Sequence, residues 1–208
     1  MLENYRKLEN GVIEQIKKEE FLYDEEYIQR CILTTDDMHY LRYGYMHGVI
    51  GHKLNSILDI GYGDAGFLKV CQKNIKECYG NDISGHPLPE NIKFLTFEQS
   101  IDIEVDVITF FDCLEHFHDI SFVKNLKAKY IVISLPNCHY FSDEWFEKWK
   151  HRKPNEHLWH FNEESLKNFM NEMGYDTLNI SNIEDMLRVS NKIESNILSG
   201  IFIKRTKI

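Results

Sequence analysis

The chain has 208 residues, 43% of them hydrophobic and 27% charged, which suits one soluble globular domain with a real core. A formal net charge of −9 and the lack of a clustered basic stretch speak against a duplex nucleic-acid partner, because phosphate binding needs a basic surface. Five cysteines without a C-x-x-C pair point to a reduced, cytoplasmic protein, and no apolar run approaches the roughly 20 residues of a bilayer crossing.

The opening MLENYRKLENG has no apolar signal core, so no signal peptide is expected. Leu2, Tyr5, Leu8, Val12, Ile13 and Ile16 recur at helical spacing on a charged background and predict a helix. Tyr27, Ile28, Cys31 and Ile32 suggest a second helix. Thr35 or Asp36 caps a third, running towards Ile50. Residues 1–50 therefore read as a helical extension or lid, and 51–208 as the main domain.

The texture then changes. Ser56–Ile60 is a short apolar strand, followed by a glycine-rich turn, a helix over Phe67–Ile75 and a second strand, Glu77–Asp82. Ile92–Leu95, Val105–Phe111 and Tyr130–Leu135 are further strands. The last two are continuous apolar runs, as expected in a parallel sheet covered on both faces. Strands alternating with helices imply βαβ units. After Pro136 the chain is aromatic and irregular as far as Phe161. Asn162 caps a helix through Met173 that Gly174 ends. Strands over Tyr175–Ile183 and Ile197–Lys204 close the chain, with a polar loop between them.

The strongest signal is Asp59-Ile-Gly61-Tyr-Gly63-Asp-Ala-Gly66, which follows a strand and opens a helix. Glycines let the backbone turn tightly and approach a ligand, and a helix start offers unpaired N–H groups. The G-x-G-x-x-G spacing alone also fits a dinucleotide site or a plain strand–helix turn. Asp59 stands where a dinucleotide fingerprint keeps an apolar residue. Asp82, ending the next strand, is a carboxylate able to accept from two ribose hydroxyls. The fourth strand delivers VDVITFFDCLEHFHD to the carboxyl edge of the sheet, where ligands bind in open α/β folds.

The set ILDIGYGDAGFL, YGNDIS and DVITFFDCLEHFHD resembles class I S-adenosylmethionine (SAM)-dependent methyltransferases, in particular the branch with D-x-L-E-H after the fourth strand. YIVISLPN and HLWHFNEESLKNFMNEMGY resemble its later segments, so the likeness spans Ser56 to Tyr175. It implies a Rossmann-like, seven-stranded, mostly parallel α/β sheet with helices on both faces and the last strand antiparallel inside the edge. SAM would be the cofactor. Asp59 and Gly61 would lie near its methionine amino and carboxylate groups, and Gly63 would allow close backbone approach. Asp82 would hold the ribose, Ile83 pack on the adenine, Glu98 meet the adenine amino group, and Asp112 face the methionine end. The family usually has glycine where Ala65 stands, and Gly66 would compensate.

Asp112, Glu115, His116, His118 and Asp119 crowd one stretch, with Asp112, Glu115 and His116 spaced D-x-x-E-H. Three readings compete. The polar groups simply hold the loop by hydrogen bonds; His116 is a general base whose ring Glu115 or Asp119 orients; or the cluster binds a divalent metal. The resembled branch includes ubiquinone-pathway and small-RNA terminal methyltransferases, in which an acidic E-H motif is associated with metal. No metal-ligand spacing here is strong, and none is assigned. Residues 137–161 carry His139, His151, His157, His160 and three tryptophans. They read as a lid over the acceptor or as a satellite apolar cluster. Tyr40, Arg42 and Tyr43 are candidates to approach from the N-terminal helices, although a lone arginine there more often lies at the surface.

The expectation is a SAM-dependent methyltransferase acting on oxygen of a small polar acceptor such as a sugar, a sugar nucleotide or a phenol-like metabolite. Its alternatives are a nicotinamide-dependent oxidoreductase, a binding module without turnover and an RNA-directed methyltransferase.

Overall fold

The computed structural model describes residues 2–22, 35–188 and 194–206. The chain opens with two strands, β1 (Tyr5–Lys7) and β2 (Ile13–Gln15), where a helix was expected. The reason is the Asn10-Gly11 pair. Gly11 takes φ +92°, Asn10 Oδ1 accepts from the Val12 amide, and Leu8 N–H donates to the Val12 carbonyl at 2.8 Å. An Asn-Gly turn between short apolar runs is a hairpin signal, and here it overrides helical spacing. The expected helix over Tyr27–Ile32 lies outside the described residues. The third expected helix is present as α1 (Asp36–Ile50), ended by Gly51 at φ +71°.

Next come β3 (Ser56–Ile60), α2 (Gly66–Cys71), β4 (Glu77–Asn81), β5 (Ile92–Phe94), α3 (Phe97–Asp102), β6 (Glu104–Phe111) and β7 (Lys127–Pro136). Then follow α4 (Asp143–Lys148), β8 (Trp159–His160), α5 (Glu163–Glu172), β9 (Tyr175–Ser181) and β10 (Ile197–Lys204). Asn162 caps α5 by accepting from the Ser165 amide at 2.8 Å, and Ser165 Oγ accepts in return from the Asn162 amide.

Seven strands form one sheet in the order β5-β4-β3-β6-β7-β10-β9. The first five run parallel, and β10 is antiparallel to both β7 and β9. This is the Rossmann-like sheet that the sequence resemblance implied. Alternation along each strand sends neighbours to opposite faces. Leu58, Ile60, Ile108, Phe110, Ile131 and Ile133 pack on one side with Leu166, Phe169 and Met170 of α5. Ile57, Val107, Tyr130 and Val132 pack on the other with Met46 and Ile50 of α1 and Phe67 and Leu68 of α2. Both faces are covered, which is why β6 and β7 read as unbroken apolar runs.

The hairpin is no separate extension. β2 pairs with β8, matching Ile13 to His160 and Glu14 to Trp159. Beside this small sheet a third apolar cluster gathers Tyr5, Ile13, Cys138 and Phe146, with Tyr140, Trp145 and Trp149 against it.

Candidate active site

A cavity of about 960 Å³ opens at the carboxyl ends of β3, β4 and β6. That is near the upper end of the range of roughly 300–1,000 Å³ for ligand pockets. Its wall divides into a part built by the β3 and β4 loops and a part built by segments distant in the chain.

In the first part, Asp59 is buried, and its Oδ1 accepts from Thr109 Oγ1 at 2.6 Å. Burial pushes its carboxyl up to about 7, against the pull of Thr109 and of Arg42. Gly61 takes φ +81°, and a Cβ there would lie 2.4 Å from Cys113 Sγ, so only glycine fits. Gly63 donates its N–H to Asp82 Oδ2 at 2.9 Å, and Ser84 donates to Asp82 Oδ1 at 2.7 Å. Each Asp82 oxygen retains a lone pair for a further donor. Ile83 is 76% exposed, at the mouth, with Phe94, Thr96 and Phe97 also on the wall.

Asp59, Gly61, Gly63, Asp82, Ile83, Asp112 and His116 all line this cavity, whereas Gly66, Glu98 and Glu115 do not. Ala65 takes the left-handed conformation, φ +59°, that a glycine would adopt more cheaply. Gly66 does something else. A Cβ there would come within 2.1 Å of His39 Nε2, so its bareness seats the buried His39 of α1 against the loop. Glu98 stands exposed in the first turn of α3, while its neighbours Thr96 and Phe97 reach the wall.

In the second part, Asp112 follows β6 at φ +51° and meets two arginines. Arg42 Nη2 donates to Asp112 Oδ2 at 3.0 Å, and Arg188 Nη2 donates to the same oxygen. Both guanidiniums also hold Glu184, which is fully buried, with Arg42 Nε to Oε1 at 2.8 Å and Arg188 Nε to Oε2 at 3.0 Å. Burial alone would raise Asp112, but Arg188 and Arg42 outweigh it and bring its carboxyl down to about 2. Arg42 is no surface residue: it is 7% exposed and lies over the Phe111 ring at 4.3 Å. Sequence reading missed Glu184 and Arg188. Their i,i+4 spacing was the only local trace, in a segment read as a polar loop.

His116 ends a single 3-10 turn, Leu114–His116, and borders the cavity. Burial drives its imidazole down to about 4, so it is neutral at physiological pH. Glu115 does not orient it, since the closest approach, Nε2 to Oε1, is 4.0 Å. Glu115 is itself 1% exposed, and neither carboxylate oxygen has a hydrogen-bond partner. Burial, and next the Asp112 charge, raise it well above the ordinary carboxylate range. His157 lies edge-on to His116 with ring centroids 4.7 Å apart. Its Nδ1 sits 2.8 Å from the His151 carbonyl, which can only accept, so Nδ1 carries the proton and Nε2 is a bare lone pair. One ligand atom each from Glu115, His116 and His157 lie within 4.8 Å of one another.

The aromatic segment is a satellite cluster rather than a lid, and Asn155 alone of residues 137–161 lines the cavity. No helix among the described residues is long and apolar enough to cross a membrane.

Comparison with known proteins agrees with this geometry. The model of a family described as a methyltransferase domain matches residues 37–180. No curated protein matches the chain. Among solved structures, a Burkholderia thailandensis 1,6-didemethyltoxoflavin-N1-methyltransferase, with 1,6-didemethyltoxoflavin and S-adenosylhomocysteine (SAH) bound, aligns with TM-score 0.63 at 12% identity, covering 98% of this chain and 100% of that one. A Synechocystis magnesium protoporphyrin IX methyltransferase with bound SAH aligns with TM-score 0.55 at 12% identity, covering 90% of each chain. The motifs, the sheet order and the family match converge: this chain belongs to the class I SAM-dependent methyltransferases.

Proposed function

We propose that the protein transfers the SAM methyl group to an oxygen of a small polar acceptor, such as a sugar, a sugar nucleotide or a phenol-like metabolite, in the cytoplasm. The observation that carries the oxygen assignment is His116, a neutral imidazole on the cavity wall. The sulfonium is already activated, so the protein must align the acceptor, exclude water and remove one proton. Asp59, Gly61, Gly63, Asp82, Ile83 and Asp112 surround the cofactor in this reading, and Asp82 takes the ribose. Gly66 and Glu98 drop out of direct contact, Gly66 serving the loop through His39. Glu115 stands 4.0 Å from His116 without a hydrogen bond to it.

The test is mass-spectrometric detection of methyl transfer from labelled SAM to a panel of hydroxyl acceptors and their amine analogues. His116→Ala should lower kcat by about 10²–10⁴-fold, the usual contribution of a positioned base. SAH affinity should stay near the wild-type value. Turnover of amines alone, or a near-normal kcat in the variant, defeats the oxygen reading.

One observation favours a second reading. The orphaned Glu115 carboxylate, the His157 Nε2 lone pair and a ring nitrogen of His116 come together within 4.8 Å. A proton on Glu115 or a divalent cation would each satisfy the unpartnered carboxylate. One carboxylate and two imidazoles suit zinc, manganese or iron(II), and such an ion would acidify a hydroxyl bound to it. Metal analysis and manganese spin resonance on wild type and Glu115→Gln decide between proton and ion. Stoichiometric metal that the variant loses supports the cation, and its absence after metal loading leaves the proton.

A further inference from the structure

The segment that leaves β2 reaches the cavity and is bolted there at several points. Gln15 is fully buried; its Nε2 donates to Asn155 Oδ1 at 2.5 Å, and its Oε1 accepts from the Asn155 amide at 2.9 Å. Lys18 donates to the His118 carbonyl at 2.7 Å and lies over the Trp159 ring at 4.3 Å. The Glu19 amide donates to the same Asn155 oxygen at 3.3 Å. The next two residues, Glu20 and Phe21, line the cavity, as do Asn155, Phe117 and His118. His118 follows His116 by two residues, so this wall adjoins the base.

The wall offers two aromatic rings, a carboxylate, an amide and an imidazole. The cation of the segment, Lys18, is engaged by Glu14 at 3.0 Å. Among the described residues, five carboxylates but only two cations, Arg42 and Arg188, line the cavity, and Asp112 and Glu184 neutralise that pair. Three of the carboxylates, Asp59, Asp64 and Asp82, stand in the β3 and β4 loops, whereas Glu20 stands on the segment after β2. An anionic acceptor there meets like charge without a counterion, and the repulsion grows where water is excluded.

We infer that Glu20 and Phe21 form the acceptor-selecting wall of the cavity, and that the acceptor is a flat aromatic compound, neutral or cationic, rather than a phosphorylated or carboxylated one. This selection rests on the reading that the cavity holds both the methyl donor and the acceptor. Phe21 and Phe117 supply ring faces for an aromatic. Glu20 accepts from its N–H or O–H groups and favours a positive one. Of the acceptors proposed above, a phenol-like compound fits this wall and a sugar nucleotide, with its phosphates, does not.

The test is calorimetric titration of SAH-saturated protein with three phenols of one shape: tyramine, 4-ethylphenol and 3-(4-hydroxyphenyl)propionate. They end in an ammonium, a methyl and a carboxylate. Uridine diphosphate glucose and 4-ethylcyclohexanol, which lacks the flat face, are the comparison probes. Attraction and repulsion add, so tyramine should bind at least about tenfold more tightly than the propionate at low salt. The affinity of 4-ethylphenol should fall between them and exceed that of both comparison probes. Glu20→Gln, at an exposed position, should cut the tyramine-to-propionate ratio by about three- to tenfold, and added salt should shrink it in wild type. Asn155→Gly suits φ +67° and removes the side-chain bolt, so it should weaken all three phenols alike. Both variants should keep the wild-type affinity for SAH. The proposal is overturned if the propionate or uridine diphosphate glucose binds most tightly, if Glu20→Gln leaves the ratio unchanged, or if no phenol binds. Those results leave the methyl-transfer reading standing wherever SAH binds; a wild-type protein that does not bind SAH fails that reading instead.

Discussion

Replacing Glu184 with glutamine keeps the shape of the side chain and removes the charge that two guanidiniums face. Glu184 is completely buried, and its oxygens accept from Arg42 Nε at 2.8 Å, Arg42 Nη2 at 3.0 Å and Arg188 Nε at 3.0 Å. An amide there turns one acceptor into a donor aimed at donors. Breaking one partner of a buried ion pair costs about 3–5 kcal/mol, because the other charge stays desolvated. Arg188 is 29% exposed and keeps Asp112, so the low end of that range applies. At roughly 2–4 °C per kcal/mol for a domain of this size, Glu184→Gln should lower the melting midpoint by about 6–12 °C. Differential scanning calorimetry and urea melts provide the measurement. A compensated variant, Arg42→Met with Glu184→Leu, should recover much of the loss, since apolar replacement of a whole buried pair is often neutral. A Glu184→Gln protein that melts within about 1 °C of wild type would refute the buried-pair argument.

Three further outcomes follow from the same geometry. Gly66→Ala drives a methyl group against the buried His39 ring, so stability should fall by about 1–3 kcal/mol in thermal melts, while Ala65→Gly, which relieves a left-handed alanine, should gain up to about 1 kcal/mol. Asp82→Ala removes a carboxylate able to accept from the ribose, and calorimetry should give at least a tenfold loss of SAH affinity, about 1.4 kcal/mol; unchanged affinity would displace Asp82 from the ribose. Burial depresses His116 to about 4, His160 to about 3 and His157 to about 2, so the fold favours their neutral forms. The unfolded chain binds more protons than the native one below the ordinary histidine value near 6.5, so stability is full above that pH and drains as pH falls towards 4, by at most about 1.4 kcal/mol per pH unit for each histidine. Denaturant melts between pH 7.5 and 4.5 test the slope, and Phe replacement of His160 should flatten it.

What could be read from the sequence was local. The glycine loop, Asp82 and the fourth-strand edge are set within contiguous stretches, and a parallel strand leaves its terminal residues at the ligand edge wherever the rest of the chain goes. The unbroken apolar character of Val105–Phe111 and Tyr130–Leu135 forecast cover on both faces, and the two core clusters supply it. The N-terminal hairpin was misread because Leu2, Tyr5 and Leu8 satisfy helical spacing, while the turn at Asn10-Gly11 and the pairing partner, Trp159–His160, act over a different range. Glu184 and Arg188 were opaque for the same physical reason, and Arg42, a candidate by position, gave no sign of the partners it would meet. Burying charge pairs is a tertiary event, and a polar composition between two strands gives no sign that Glu184 will be sealed from water. Composition left the aromatic segment open between a lid and a satellite cluster, because aromatics both line pockets and fill cores; its rings stack on one another beside the small sheet, as with Trp145 and Trp149 at 5.5 Å.

The conformation of Asp112 explains why those distant pieces meet where they do. A non-glycine residue at φ +51° carries strain of about 1–3 kcal/mol unless its surroundings fix it, although aspartate tolerates that region better than most. Asp112 N–H remains tied to the Ser134 carbonyl at 2.8 Å, so the strand edge stays anchored while the side chain turns to the arginines. Two charge-assisted bonds to one oxygen offset the strain, and both donors depend on Glu184 for their own position. The left-handed turn, the docking of α1 and the seating of Ile183–Met186 are therefore one cooperative unit. Loosening any member should loosen the others, so Asp112→Asn, Arg42→Gln and Glu184→Gln ought to be strongly non-additive in stability. Additive losses in a double-mutant cycle of Asp112→Asn with Glu184→Gln would separate the strand edge from the clamp and dissolve that unit.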